Sequence, residues 1–178
     1  MYRPRFIVLS GMILAAAASR LVPHLPNFTP LAAMALFGGA HFADKRVAFG
    51  IPLAALLLSD AVIGFHSGLL SVYGSFALIV VLGLRLKSNR AMLPVAGTAL
   101  IGSCLFFVIT NFAVWASGAL YPVTLAGFVD CYVAAIPFFG NTLAGDAFYA
   151  AVLFGGFALA EKRWPILAET VPILAGHS

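Results

Sequence analysis

Two aspartates stand where this chain can least tolerate charge. Asp60 ends the run PLAALLLSD and Asp146 follows FFGNTLAG, both inside long apolar stretches. A carboxylate at membrane depth is costly unless paired or hydrated, so such a residue faces a bundle interior or a water-filled cavity. Arg20, in SRLVPHLPNFTP, is the candidate partner of Asp60, either in a structural bridge or as a second contact to a polar ligand group. Asp60 and Asp146 together also suit a proton or sodium pathway. Asn111 and Trp115 lie one turn apart in FFVITNFAVW and share a helix face. An amide and an indole there can orient a flat, heteroatom-rich ligand, although helix-to-helix hydrogen bonding by the amide and an interfacial role for the indole explain them as well.

Other chemistry is weakly supported. His24, His41, His66 and His177 lack metal-ligand spacing, and Cys104 with Cys131 are too few for a disulfide framework or a zinc site. The sequence contains no HExxH, GxSxG, GxxxxGK or GxGxxG pattern. We therefore expect no catalytic residue, no metal and no cofactor, and a protein that is not an enzyme.

The elements that must carry these residues follow from composition. Of 178 residues 62% are hydrophobic and 9% charged, and mean hydropathy is +1.04, whereas a soluble domain is about a quarter charged. The chain reads as an all-α, polytopic membrane protein, one transmembrane domain over residues 1–178. Spans need roughly 20 residues each to cross about 30 Å of hydrocarbon. Six fit, at about Phe6–Val22, Leu31–Phe42, Val47–Gly64, Leu69–Leu86, Met92–Trp115 and Val133–Ala160. Near-continuous apolarity favours helices over barrel strands, which would alternate.

Charge tests this assignment independently. Arg3 and Arg5, Lys45 and Arg46, Arg85, Lys87 and Arg90, and Lys162 with Arg163 fall on one face of a six-span chain, which the positive-inside rule makes cytoplasmic, with both termini inside. These small clusters also explain the net charge of +4 without a nucleic-acid partner. The start of the chain has a second reading, because its basic, apolar and small-residue regions are those of a cleavable signal peptide. Gly11, Ala15 and Ser19, spaced by four, favour a retained helix that packs closely on another.

In this topology the varied side chains gather outside. Arg20, His24, Asn27 and Thr29 precede the second helix, Asp60, His66 and Tyr73 surround the loop 64–69, and Asn111, Trp115, Tyr121, Thr124, Asp130, Cys131 and Tyr132 surround the loop 116–132. Asp60 lies about 14 residues past Arg46, roughly 21 Å of helix, and Asp146 lies about 15 before Glu161, at a similar height. We expect the substrate-binding set to be Arg20, His24, Asn27, Asp60, His66, Tyr73, Asn111, Trp115, Asp130 and Tyr132.

The runs NFTPLAAMALFGGAHF, PLAALLLSDAVIGFH, VYGSFALIVVLG, FFVITNFAVW, YPVTLAGFVDCYVAAIPFFGNTL and GDAFYAAVLFG resemble a family of small bacterial membrane proteins regarded as transport proteins, itself similar to the S components of energy-coupling-factor vitamin transporters. The resemblance spans most of the chain. It implies a six-helix bundle in the bacterial inner membrane, with a vitamin pocket open to the outside. The loops after the first, third and fifth helices gate that pocket, here 20–30, 64–69 and 116–132. It also implies docking of a coupling subunit, driven by ATPases, on Gly11, Ala15 and Ser19. Solitary relatives include cobalamin carriers that ligate cobalt through cysteine, which makes cobalamin one candidate and Cys131, His24 or His66 its possible ligands. The expected function is capture of a vitamin or related micronutrient. An ion-coupled small-solute transporter using Asp60 and Asp146, or a membrane scaffold, are the alternatives.

Overall fold

A computed structural model describes residues 4–65 and 67–168. It is helical throughout: α1 (Pro4–Ala18), α2 (Leu31–His41), α3 (Lys45–Ile63), α4 (Leu69–Arg85), α5 (Met92–Ala116), α6 (Leu125–Ala150) and α7 (Gly156–Arg163). Single 3-10 turns extend α1 over Ser19–Leu21 and α4 over Leu86–Ser88, and a π turn at Ala151–Gly155 joins α6 to α7. Five helical runs, Pro4–Leu21, Lys45–Ile63, Leu69–Ser88, Met92–Ala116 and Leu125–Arg163, are long and apolar enough to cross a membrane. This is the architecture of a multi-pass membrane protein.

The sixth expected span differs in kind. α2 has only 11 residues, about 16 Å and half a bilayer. All of them are buried. Its axis is the centre of the bundle, and its small residues allow that. A Cβ on Gly39 would strike the Val80 carbonyl of α4, and one on Gly83 of α4 would strike the Leu36 carbonyl of α2. Gly38 lies against the ring of Pro52 in α3 and 3.3 Å, measured from an added Cβ, from the Ala48 carbonyl that the missing proline N–H would have met. Between apolar helices in lipid such close packing replaces the hydrophobic effect as the cohesive force.

The last helix runs longer than its hydrophobicity suggests. The sequence reading places 116–132 in a loop, but Leu125–Tyr132 form the first turns of α6. Thr124 begins the helix by accepting a hydrogen bond from the Gly127 N–H at 3.2 Å. Pro137 sits inside α6 without ending it.

The Lys and Arg side chains at 45, 46, 85, 87, 90, 162 and 163 border helix ends that lie together, called here the basic end. Lys87 Nζ donates to Ala43 O at 3.0 Å and Arg90 Nε to Ala40 O at 2.9 Å. Arg5 pairs with Glu161 and covers the Phe157 ring at 5.0 Å, tying the start of α1 to α7. Beside this tie is a cavity of about 530 Å³ lined by Arg5, Phe6, His41, Asp44 and Val47. At the far end α5 and α6 extend as a hairpin. The buried residues of α5 all lie between Val95 and Ser103, so beyond Ser103 this helix is covered only in part, chiefly by rings of α6: Phe107 meets Tyr132 and Phe139, and Trp115 meets Phe128.

The glycine contacts predict a contrast. Gly39→Ala and Gly83→Ala should each cost about 1–3 kcal/mol by forcing α2 from α4. Gly74→Ala on the open face of α4 should be neutral or stabilising by up to about 1 kcal/mol through helix propensity. Thermal melting of the detergent-purified protein distinguishes them, and equal melting of all three variants would contradict the packing argument.

Candidate functional site

The chain from Ser19 to Leu31 builds the site, because it joins the far end of α1 to a helix that starts inside the bundle. Arg20, in the 3-10 turn, places Nη1 2.7 Å from Asp60 Oδ1 and donates to Ser59 Oγ. Tyr73 of α4 donates its hydroxyl to Asp60 Oδ2 at 2.9 Å. Asp60 is only 1% exposed. Arg20, Asp60 and Tyr73 thus form one charged cluster across α1, α3 and α4, in which Oδ2 accepts the Tyr73 hydroxyl and Oδ1 meets the Arg20 charge at 2.7 Å without hydrogen-bond alignment.

Past this cluster the backbone is irregular and runs along α6. Asn27 has φ 62°, a left-handed conformation that asparagine tolerates better than most residues, and it turns the chain so that Thr29 N–H reaches Asn27 O at 3.1 Å. Three α6 residues spaced by four then hold the segment. Asn141 Nδ2 donates to Pro26 O at 3.0 Å, and Gly145 admits Phe28 and Thr29 so closely that a Cβ would lie 3.0 Å from the Thr29 nitrogen. The Tyr149 hydroxyl lies 2.8 Å from Ser19 Oγ. The Phe28 ring packs on Phe148 and Tyr149 with centroids 5.9 Å away in each case.

The segment ends at Asp146. Its carboxylate lies beside the backbone N–H groups of Ala32 and Ala33, in the first turn of α2, and Oδ2 accepts a hydrogen bond from Ser103 Oγ of α5 at 2.6 Å. No side chain of Pro30 caps α2; an aspartate from another helix does so in its place, meeting both the orphan amides and the positive end of the helix dipole. Asp146 is 3% exposed and lines a cavity of about 420 Å³ between α5 and the α6 to α7 run.

The other expected ligand residues lie elsewhere. His24 is exposed, with Nδ1 2.9 Å from the neighbouring Leu25 O. Asn111 Nδ2 donates within its own helix to Phe107 O at 2.8 Å, Trp115 Nε1 donates to Thr124 O at 3.1 Å, and the Tyr132 hydroxyl donates to Val108 O at 2.7 Å. Asp130 is exposed on α6. His66 lies outside the described residues. Among the described residues, no reported hydrogen bond or ring contact joins the Asn111, Trp115 and Tyr132 set to the Arg20, Asp60 and Tyr73 set, and neither cavity above is lined by a residue of either. Cys131 is buried, 3.5 Å from Asn111 O, while Cys104 is exposed. Gly11 and Ala15 are exposed on α1; Ser19 turns inward to Tyr149.

Ser103, Asn141, Gly145 and Tyr149 were missing from the expected set. The spacing Asn141, Gly145, Tyr149 placed all three on one helix face in the sequence, but nothing in it named their partner.

A protein-family model described as a family of unknown function, DUF6580, matches residues 1–167. The chain belongs to that family. No curated protein and no solved structure matches it.

The ion pair yields a test. Asp60→Ala strands a part-buried guanidinium and Arg20→Ala a buried carboxylate, each expected to cost about 3–5 kcal/mol, whereas Arg20→Ala with Asp60→Ala together should cost clearly less than the two single losses summed. Melting of the four proteins measures the coupling, and strict additivity would show that the two charges do not depend on each other.

Proposed function

We propose that this protein captures a small solute, a vitamin or related micronutrient, at the face opposite its basic loops and carries it into the membrane, with residues 22–27 as the movable cover. One observation carries the reading: an irregular segment descends to a helix terminus within the bundle and is flanked by two buried carboxylates. Non-helical backbone at membrane depth is tolerated where protein buries it or a cavity lies beside it, and discontinuous helices form the substrate sites of many carriers. The exposed stretch 22–27 is tied to α6 by one hydrogen bond from Asn141, a contact that can break and reform, while Phe28 and Thr29 pack against Gly145 and the α6 rings and Pro30 is buried.

Positive loops put the basic end in the cytoplasm, so capture is from outside, in keeping with a bacterial inner-membrane location. The resemblance to energy-coupling-factor S components supports the same loops as gates. It also supports a coupling subunit docking on the exposed Gly11 and Ala15 of α1. Binding and carriage require no catalytic group, and we assign none.

Purified protein should release a small heterocyclic molecule on denaturation, identified by mass spectrometry and rebinding with submicromolar affinity. Asn141→Ala, which frees Pro26 O, should raise the dissociation rate several-fold without lowering the melting temperature, and Asn111→Ala should weaken binding tenfold if the α5–α6 hairpin closes on the ligand. Absence of any bound or rebinding small molecule, in protein that melts cooperatively, would sink the proposal. A second reading, ion-coupled transport, draws on Asp146, which has only neutral donors described around it; pH-dependent uptake into liposomes without an ATPase would favour it. Orientation is checked separately: in protein lacking Cys104 and Cys131, Ser88→Cys should be closed to an impermeant maleimide added outside cells and Ser117→Cys open to it.

A further inference from the structure

The cavity between α5 and the α6 to α7 run is not part of the far-face capture site. It starts at Asp146 and Ser103 and continues toward the basic end along Ala99, Ala150 and Phe154 to Met92 and Arg90. From Ser103 to Met92 is 11 residues of α5, so the groove is about 16 Å long. Its volume of about 420 Å³ lies within the range of small-molecule sites, about 300–1,000 Å³. Several lining residues, among them Leu100 at 52% and Met92 at 79% exposure, are on the perimeter of the bundle. The groove therefore opens sideways toward hydrocarbon, and whatever enters it must first dissolve in the bilayer.

The charge at its closed end is distinctive. Asp60 has Arg20, but the groups described around Asp146 are a hydroxyl and two backbone amides. The α2 terminus offsets only about half an elementary charge. The groove thus has apolar walls, the Asp146 carboxylate at one end and the Arg90 side chain at the other, basic end, and its Asp146 end suits a complementary molecule: an apolar chain whose cationic head lies at the carboxylate, away from Arg90. We propose that this groove binds a lipophilic ammonium compound, its chain along the alanine-rich wall and its N–H groups donating to the Asp146 carboxylate. The proposal is independent of the far-face reading, and either can fail alone.

The test uses the full-length protein in zwitterionic lipid nanodiscs, titrated calorimetrically with octylammonium, octanol and octanoate, with the heats of empty nanodiscs subtracted. We expect saturable binding of octylammonium at least tenfold tighter than of octanol, and none of octanoate. Asp146→Asn retains carbonyl acceptance from α2 but not the charge, and should remove the preference for the ammonium head. Because that change can weaken the α2 cap, a second variant leaves Asp146 intact: Ala147→Leu, at an exposed position on the groove wall, should lower octylammonium affinity at least tenfold with an unchanged melting temperature. Equal binding of octylammonium and octanol would overturn the proposal, as would octylammonium binding indifferent to Ala147→Leu.

Discussion

The structure depends on where α2 begins. Its first turn is buried inside a bundle of apolar helices, where each unmet donor costs as much as a lost hydrogen bond. Asp146 resolves this from another helix. The arrangement couples three elements in one contact, since Ser103 of α5 donates to the same carboxylate. The half-length of α2 follows: a helix capped from within need not reach the far surface, and the preceding residues are free to take an irregular path.

Central placement then sets the composition of the neighbours. A helix surrounded on all sides must present small residues where backbones approach, and Gly38, Gly39 and Gly83 do so. Aromatic side chains fill the wider gap toward the basic end, where the buried His41 ring packs among Phe37, Phe154 and Phe157 and its Nδ1 lies 3.1 Å from Phe37 O. The sequence marks this histidine only as one without metal-ligand spacing, and its surroundings explain why an imidazole is tolerated in a core: one nitrogen is matched and the ring is stacked.

The sequence was most legible where physics acts locally. Apolar runs located five long helices because solvation of each segment depends on its own residues, and Asp60 with Arg20 was legible because two opposite charges at one height in a bilayer must meet. The start of α6 was not legible: Asp130, Cys131 and Tyr132 look like loop composition, yet α5 and the Thr124 cap hold them helical. The role of Asp146 was half visible. Its depth marked it as functional or paired, but its partners are backbone amides, which carry no sequence signature. Asn111, Trp115 and Tyr132 spend their donors on neighbouring carbonyls of the α5–α6 hairpin.

The two buried aspartates now differ in kind. Asp60 binds a cation supplied by the chain and joins α1, α3 and α4; Asp146 binds the end of a helix. Residues 20 and 32 are therefore the two electrostatically anchored ends of a single connection, in which Phe28 and Thr29 pack closely on Gly145 and only 22–27 are exposed. Arg20 and α2 are costly to displace because doing so strands a charge or several amides, whereas lifting Pro26 off Asn141 loses one hydrogen bond.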